Sequence, residues 1–504
     1  MIKVDNIKVP LDYNDDVIKR LIEKKINDKI IDFRVFKKSI DARFEVCFNM
    51  SFLVNVKNES KHKNLIYIPK KPLVVPKSKD KKVVIVGSGP AGLFSALILI
   101  EAGLKPIIIE RGKDVKNREK DINNLLENKV LNKDSNFVYG LGGAGTYSDG
   151  KLTTNINSEY NSFVLETFVK YGADSDILYE NMPHIGTDVL KKIVNNMANY
   201  INEHGHIYFE HKLVDIIDKK IKCINNEKEV LFDFDYLILT IGHSPKETFK
   251  MLYDKGLLME QKPFSMGVRI EHKQELINKI QYGKYAGHKN LPNATYKMAV
   301  HLDDRDVYTF CMCPGGLVVP SMDSENTMVV NGMSYKSRDK ENSNAALLVN
   351  VNTTDYESNH PLAGFIFRDK YEALSFNDGY KANIARLEDF LQNKVTTKIG
   401  SVTPSYPLGY NFKKLDECLP SFVCKALRES IYLFDKKMHG FNDPDAILTA
   451  IESRSSCPVR IKRNESLETN IDYIYAAGEG SGYSGGITTS AIDGIKVALK
   501  IVNR

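Results

Sequence analysis

The side chains with most chemical meaning in this 504-residue chain stand in three separated groups. Gly87, Gly89 and Gly92 form G-x-G-x-x-G with Pro90 and Ala91 inside it, and Glu110-Arg111 begins 23 residues after Gly87. Glycines at that spacing permit a tight turn, let backbone approach a pyrophosphate and allow a helix to pack closely on a strand. An acid at that distance is placed to accept from the ribose hydroxyls of an adenosine. Near the other end, Gly478-Glu479 offers an acid for a ribityl chain. Gly485-Gly486-Ile487 offers a helix start aimed at the N1–C2=O edge of a flavin, where negative charge gathers on reduction. A fold for nicotinamide dinucleotide alone would have no use for so distant a return segment. The expected cofactor is FAD, held non-covalently, since no His, Cys or Tyr stands in a motif for covalent attachment.

The third group could move protons, hold anions or exchange electrons. His184, His243 and His272 are candidates to deliver a proton as flavin delivers hydride, because imidazole titrates near neutrality; each is as readily a structural histidine. Arg269, Arg454 and Arg460 could clamp an anionic substrate or steady reduced flavin, and Arg454 could equally pair with Glu452. Cys311-Met312-Cys313 puts both thiols on one side of a regular strand. It is read as two small buried apolar side chains rather than a redox pair. Flavin-linked thiols usually sit on the helix after the first fingerprint, and here that helix has no cysteine. His204, His206 and His211 lack partners at a metal-binding spacing, and no metal is expected.

Elements must hold these groups in place. Val83–Val86 is an apolar β-branched run suited to a buried parallel strand, Ala91–Ala102 reads as a helix closing at Gly103, and Pro106–Ile109 as the next strand. Further on, Thr187–Glu203 reads as a helix, with strands at His206–Phe209, Leu213–Ile217, Tyr236–Thr240 and Tyr473–Ala477. Residues 264–351 are strand-rich, helices are expected at Lys381–Asn393 and Ser421–Lys436, and Ile447–Ile451 is expected to lead back to the first domain. The first 80 residues hold 18 Lys and Arg against 11 Asp and Glu, more than the net +6 of the whole chain. Their pattern is strand (Ile2–Val9), amphipathic helix (Asp15–Ile26) and strands (Ile31–Lys37, Phe44–Val56), joined to the rest by a stiff Pro- and Lys-rich linker.

Several motifs carry a family resemblance: Y-G-L-G-G-A-G-T-Y-S-D-G-K-L from Tyr139, N-M-P-H-I-G-T-D from Asn181, I-G-H-S-P from Ile241, Y-T-F-C-M-C-P-G-G from Tyr308, N-G-M-S-Y from Asn331 and A-I-L-T-A-I-E-S-R-S-S-C-P-V-R-I-K-R from Ala446. With K-K-S-I-D-A-R at Lys37, the chain resembles a bacterial family of largely uncharacterised FAD-dependent dehydrogenases (NAD(P)/FAD-dependent oxidoreductases) carrying a small ferredoxin-like N-terminal domain. The wider clan includes fumarate reductase flavoproteins and geranylgeranyl reductases. Cys457 stands where the pattern expects Ser, and Pro245-Lys246 where it expects Ala-Arg. The resemblance implies an α/β fold: a Rossmann-like FAD-binding domain, an inserted mostly β substrate domain whose sheet covers the flavin, and a small N-terminal α+β domain. The expected boundaries are 1–77, 82–262, 263–445 and 446–504. It also implies that Gly142, Gly143, Ala144 and Gly145, with Thr146 and Ser148, line the FAD, that Gly242 follows the returning strand, and that Val214 gives backbone contacts to adenine.

The expected activity is hydride exchange between FAD and an unidentified organic small-molecule substrate. With one dinucleotide fingerprint present, NAD(P)H would dock only transiently as electron donor. Two alternatives use the basic N-terminal domain to hold a nucleic acid or a protein: a flavin-dependent RNA-modifying or RNA-binding protein, and a flavin redox sensor. No apolar run reaches the ~18 residues of a membrane span, no signal-peptide core opens the chain, and seven scattered cysteines suit a reducing cytoplasm.

Overall fold

A computed structural model describes residues 1–154 and 156–504. Val83–Val86 is the centre of a five-stranded parallel sheet. Its strands run in the order Ile474–Ala476, Tyr236–Leu239, Val83–Val86, Ile107–Ile109, His206–Tyr208. Both faces are covered. Val83 and Ile85 join a core with the helices Pro90–Glu101, Thr187–His204 and Ile487–Val502. Val84 and Val86 join a second core with the antiparallel meander 212–233 and the helix Lys246–Asp254. Alternate side chains of one strand therefore feed two cores, which is why the strand reads as continuously apolar.

The chain leaves this domain through Met259–Gln261 and re-enters it through Val459–Ile461, and these two strands pair with each other. Between them lies a seven-stranded sheet in the order Ala299–His301, Asp306–Cys313, Asn342–Val351, Phe264–Lys273, Ile447–Glu452, Ala382–Arg386, Tyr410–Phe412. Met266, Val268 and Ile270 point to an apolar core under the helix Ser421–Lys437. Ser265, Arg269 and Glu271 point to the opposite, polar face.

Two expectations change here. Ile447–Glu452 pairs with Phe264–Lys273 and Ala382–Arg386 inside this sheet, so the inserted domain extends beyond the expected boundary at 445. Residues 382–386, expected as helix, form a strand: their two Ala and one Arg favour helix, but Ala382, Ile384 and Ala385 are buried between two strands, and packing overrides propensity.

The N-terminal strands Ile2–Val9, Cys47–Val56 and Ile30–Asp41 form an antiparallel sheet with the second of these in the centre. With the helix Asp15–Ile26 this is the strand order of a ferredoxin-like sheet lacking its fourth strand. The unit touches both other domains. Asn290 Nδ2 donates to the Leu11 carbonyl at 2.9 Å, and Lys38 bridges to residues 179–181 through two backbone hydrogen bonds of 2.8 Å and an ion pair to Glu180. Its core is continuous with that of the seven-stranded sheet.

Candidate active site

The first glycine turn is built by exclusion. A Cβ on Gly87 would lie 2.3 Å from the Thr240 carbonyl oxygen, and one on Gly92 would lie 2.0 Å from the Gly87 carbonyl oxygen. Gly87 also has φ 105°, a region that disfavours side chains. Gly89 differs: its φ and ψ of −71° and −177° suit any residue, and a Cβ there would have nothing within 4 Å. It stands at the start of the helix Pro90–Glu101, which has no side-chain cap. Gly242 and Gly485 likewise face open space, and Gly486 begins the uncapped helix Ile487–Val502. These positions adjoin: Gly143 approaches the Gly89 Cα, Gly145 meets Ile487, Gly480 packs on Gly242, and Gly478 faces Ala91. Two bare helix starts and three glycines with room beside them are the cradle a pyrophosphate and a flavin require. The residues fit FAD.

Glu110 sits deeper than expected. Its carboxylate accepts from Ser88 N–H (3.0 Å), Ser88 Oγ (2.7 Å), Gly112 N–H (2.8 Å) and Gly140 N–H (3.1 Å). All four acceptor positions are engaged, so the acid ties the glycine turn to the 139–148 loop. Arg111 stacks on Tyr139 at 4.0 Å and pairs with Glu247 and Asp134. Val214 is the extra residue of a β-bulge, which leaves it without a paired residue on the neighbouring strand. Sequence reasoning missed Arg118. Fully buried, it donates to the carbonyls of Asn136, Leu141 and Gly143 and fastens the same loop, and burial lowers it to about 10. Arg at the fourth position of the helix Val115–Asn128 carries no sequence signal of that role. The Thr146 and Ser148 hydroxyls donate within the loop, to Leu141 and Gly145, so neither proton is left for a cofactor.

At the second fingerprint, burial pushes the Glu479 carboxyl up to about 7, opposed by Lys262. His243 Nε2 lies 3.9 Å away. Burial, with Arg368 and Arg454 nearby, lowers His243 to about 3 and keeps its ring neutral, which counts against it as a proton donor.

Three candidates do not act as expected. His272 is fully buried, bonds the Phe441 carbonyl at 2.8 Å and packs on the Phe441 ring. It belongs to the core. Arg269 is also fully buried and donates to Glu452, Cys311 O, Asn344 and Asn331, which occupies all five of its hydrogens. Glu452 is thus the partner of Arg269. Arg454 instead pairs with Glu372 and Asp323, each at 2.8 Å, and contacts Ser244. Arg269 keeps no donor for an anionic substrate, and the charge of Arg454 is already shared between two buried carboxylates. Arg460 pairs with Glu260 and lies over the Tyr483 ring.

His184 remains near a mixed cluster. Its Nε2 lies 3.4 Å from the Lys336 carbonyl, burial lowers its pKa, and its backbone bridges to Lys151. Asp149 binds Arg338 through both oxygens (3.0 and 2.6 Å) and lies 3.5 Å from Lys151 Nζ, itself buried and without a hydrogen-bond partner among the described residues. The cluster abuts the flavin-side helix start, because Thr488 Oγ1 donates to the Leu152 carbonyl at 2.8 Å. Lys151 was legible only as part of the D-G-K motif. Among the described residues there is no metal-binding cluster and no helix long and apolar enough to cross a membrane.

The comparisons agree with this geometry. Residues 80–120 match the FAD binding domain, 263–455 the family described as FAD-dependent protein, C-terminal domain-like, and 1–55 a domain of unknown function. An uncharacterised protein of Clostridium beijerinckii is 43% identical over 528 aligned positions, covering 100% of this chain and 99% of that one. The protein belongs to this family of FAD-dependent proteins. Its cofactor is FAD. Among solved structures, a flavoprotein/dehydrogenase from Cytophaga hutchinsonii is 10% identical, with a TM-score of 0.37 over 84% of this chain and 79% of that one. A 3-ketosteroid-Δ4-(5α)-dehydrogenase from Rhodococcus jostii is 12% identical, with a TM-score of 0.36 over 85% and 98%. A geranylgeranyl bacteriochlorophyll reductase-like protein from Thermoplasma acidophilum is 10% identical, with a TM-score of 0.36 over 84% and 78%.

Proposed function

We propose that the protein is an oxidoreductase exchanging a hydride between non-covalently held FAD and an organic substrate bound under the polar face of the seven-stranded sheet. The observation that carries this reading is the cradle of Gly89, Gly242 and Gly485 between two uncapped helix starts. FAD supplies the hydride chemistry when bound. The chain's residues do the rest. The start of Pro90–Glu101 would hold the pyrophosphate, the start of Ile487–Val502 would offer its positive end to the flavin, and the Arg118-fastened loop would line the same cradle. Tyr308 reaches into the polar face, where its hydroxyl donates to Ser265 Oγ at 2.9 Å, and Phe310 shares that face at 45% exposure. These aromatic side chains suit an organic substrate with an apolar surface. With His272 in the core and burial lowering both His243 and His184, proton delivery falls to the Lys151 side of the site.

The test is twofold. Heat denaturation should release intact FAD, and the photoreduced enzyme should be reoxidised anaerobically by an unsaturated organic acceptor. Release of FMN, flavin left on the polypeptide, or reoxidation by dioxygen alone across a broad acceptor panel would overturn the proposal.

A further inference from the structure

The strand Asp306–Cys313 breaks its register between Phe310 and Cys313: three steps on this strand match two on Asn342–Val351, from Ala346 to Asn344. Cys311 is the strained residue of this bulge, with φ 42°, where a side chain is disfavoured. The alternation that would make Cys311 and Cys313 two buried hydrophobes is therefore lost. Cys311 is partly exposed and Cys313 is buried. Cys313 Sγ donates to the Cys311 carbonyl oxygen at 3.3 Å, which folds the second thiol back against the residue that carries the first. That same oxygen accepts from Arg269 at 2.9 Å, which pins the kink.

The charges around the pair suit a thiolate. Cys313 acts first, as hydrogen-bond partner, and Lys151 and Arg269 then lower the Cys311 thiol against burial and Asp149; Glu452 also faces it. Cys313 moves the opposite way. One sulfur held as thiolate beside a thiol that can close on it is the arrangement of a reactive dithiol. Lys151 and Asp149 belong to the loop whose next residue, Leu152, accepts from Thr488 in the first turn of the flavin-side helix. The pair is thus within electrostatic reach of the loop that meets the flavin-side helix start.

We propose that Cys311 and Cys313 form a reversible disulfide in redox exchange with the bound FAD, so that the protein carries two electron pairs instead of one. The Cys311 thiolate and the Cys313 thiol lose two electrons and one proton as the S–S bond forms. The oxidised flavin gains those two electrons and that proton. In reverse, reduced flavin opens the disulfide. The proposal rests on the FAD and is independent of which organic substrate the enzyme uses.

An anaerobic dithionite titration of the oxidised, FAD-loaded protein tests it, with flavin absorbance followed throughout. The wild type should consume two equivalents of two-electron reductant per FAD, and Cys311→Ser and Cys313→Ser one each. Alkylation under denaturing conditions, read by peptide mass, should find both thiols blocked from labelling after ferricyanide and both labelled after dithionite. This mass reading uses the wild type alone and decides the matter even where a serine variant fails to fold. One equivalent per FAD in the wild type, or two labelled thiols after ferricyanide, would overturn the proposal. A protein without FAD would fail in absorbance before any titration, which separates that failure from this one.

Discussion

Gly89 and Gly92 differ by three positions and should fail in opposite ways. At Gly92 a methyl group would lie 2.0 Å from the Gly87 carbonyl oxygen, roughly 1.5 Å inside an optimal contact. Backbone cannot rotate away as a side chain can, so the helix Pro90–Glu101 must lift from the turn. Overpacking of this kind costs about 3 kcal/mol or more, and the lift also disturbs Ala91, whose carbonyl oxygen lies 2.2 Å from a Cβ built on Gly494. Gly92→Ala should therefore lower the melting midpoint of the flavin-free protein itself. At Gly89 the backbone tolerates a side chain and nothing lies within 4 Å of its Cβ. Gly89→Val should leave the flavin-free melt within about 0.5 kcal/mol of wild type while filling the pyrophosphate path. Free FAD at a hundred times its Kd stabilises the wild type by about 2.7 kcal/mol, a shift that Gly89→Val should lose. The assay is a pair of melts for each protein, with and without added FAD, together with absorbance near 450 nm. A yellow Gly89→Val protein that FAD still stabilises would refute the placement of the pyrophosphate.

Arg454→Met leaves Asp323 and Glu372 buried without their shared cation, and chemical denaturation should show a loss of about 3–5 kcal/mol. Glu271 is pushed up to about 7 by burial, opposed by bonds from Ser405 and Asn342. With a native pKa above the unfolded one, its stabilisation is complete below about pH 4.5 and is lost as pH rises through 7, up to about 3 kcal/mol. Glu271→Gln should flatten that slope, so melts at pH 5 and 8 should differ less in the variant than in wild type. A chain beginning at Ser78 uncovers Leu291 and its neighbours beneath the N-terminal unit, and its melting midpoint should fall below that of the full chain. An unchanged midpoint would show that the continuous core adds nothing.

The glycine fingerprints were legible because each states a backbone demand no other residue meets: Gly87 needs its positive φ and Gly92 its close approach. The N-terminal strand Ile2–Val9 and helix Asp15–Ile26 were legible from local periodicity, with Asn14 capping Val17 N–H at 3.0 Å. What stayed hidden was non-local. Residues 382–386 are a strand only because two other strands enclose them, and nothing in A-N-I-A-R announces that. The Arg454–Glu452 pair that sequence proximity suggested does not form, because the sheet turns Glu452 toward Arg269. The bulge at Cys311 overturned a face assignment that ordinary alternation would have supported.

The paired strands Met259–Gln261 and Val459–Ile461 have a topological consequence. Both passages between the flavin domain and the sheet above it run side by side, about 4.8 Å apart. The two polypeptide ends of the inserted domain are thus neighbours, and so are the two ends of the gap it leaves behind. Changing the length of the insert need not move any strand of the parallel sheet, because the chain leaves and re-enters at this two-strand neck. Seen this way, the flavin domain is a continuous platform interrupted only in the order of its residues.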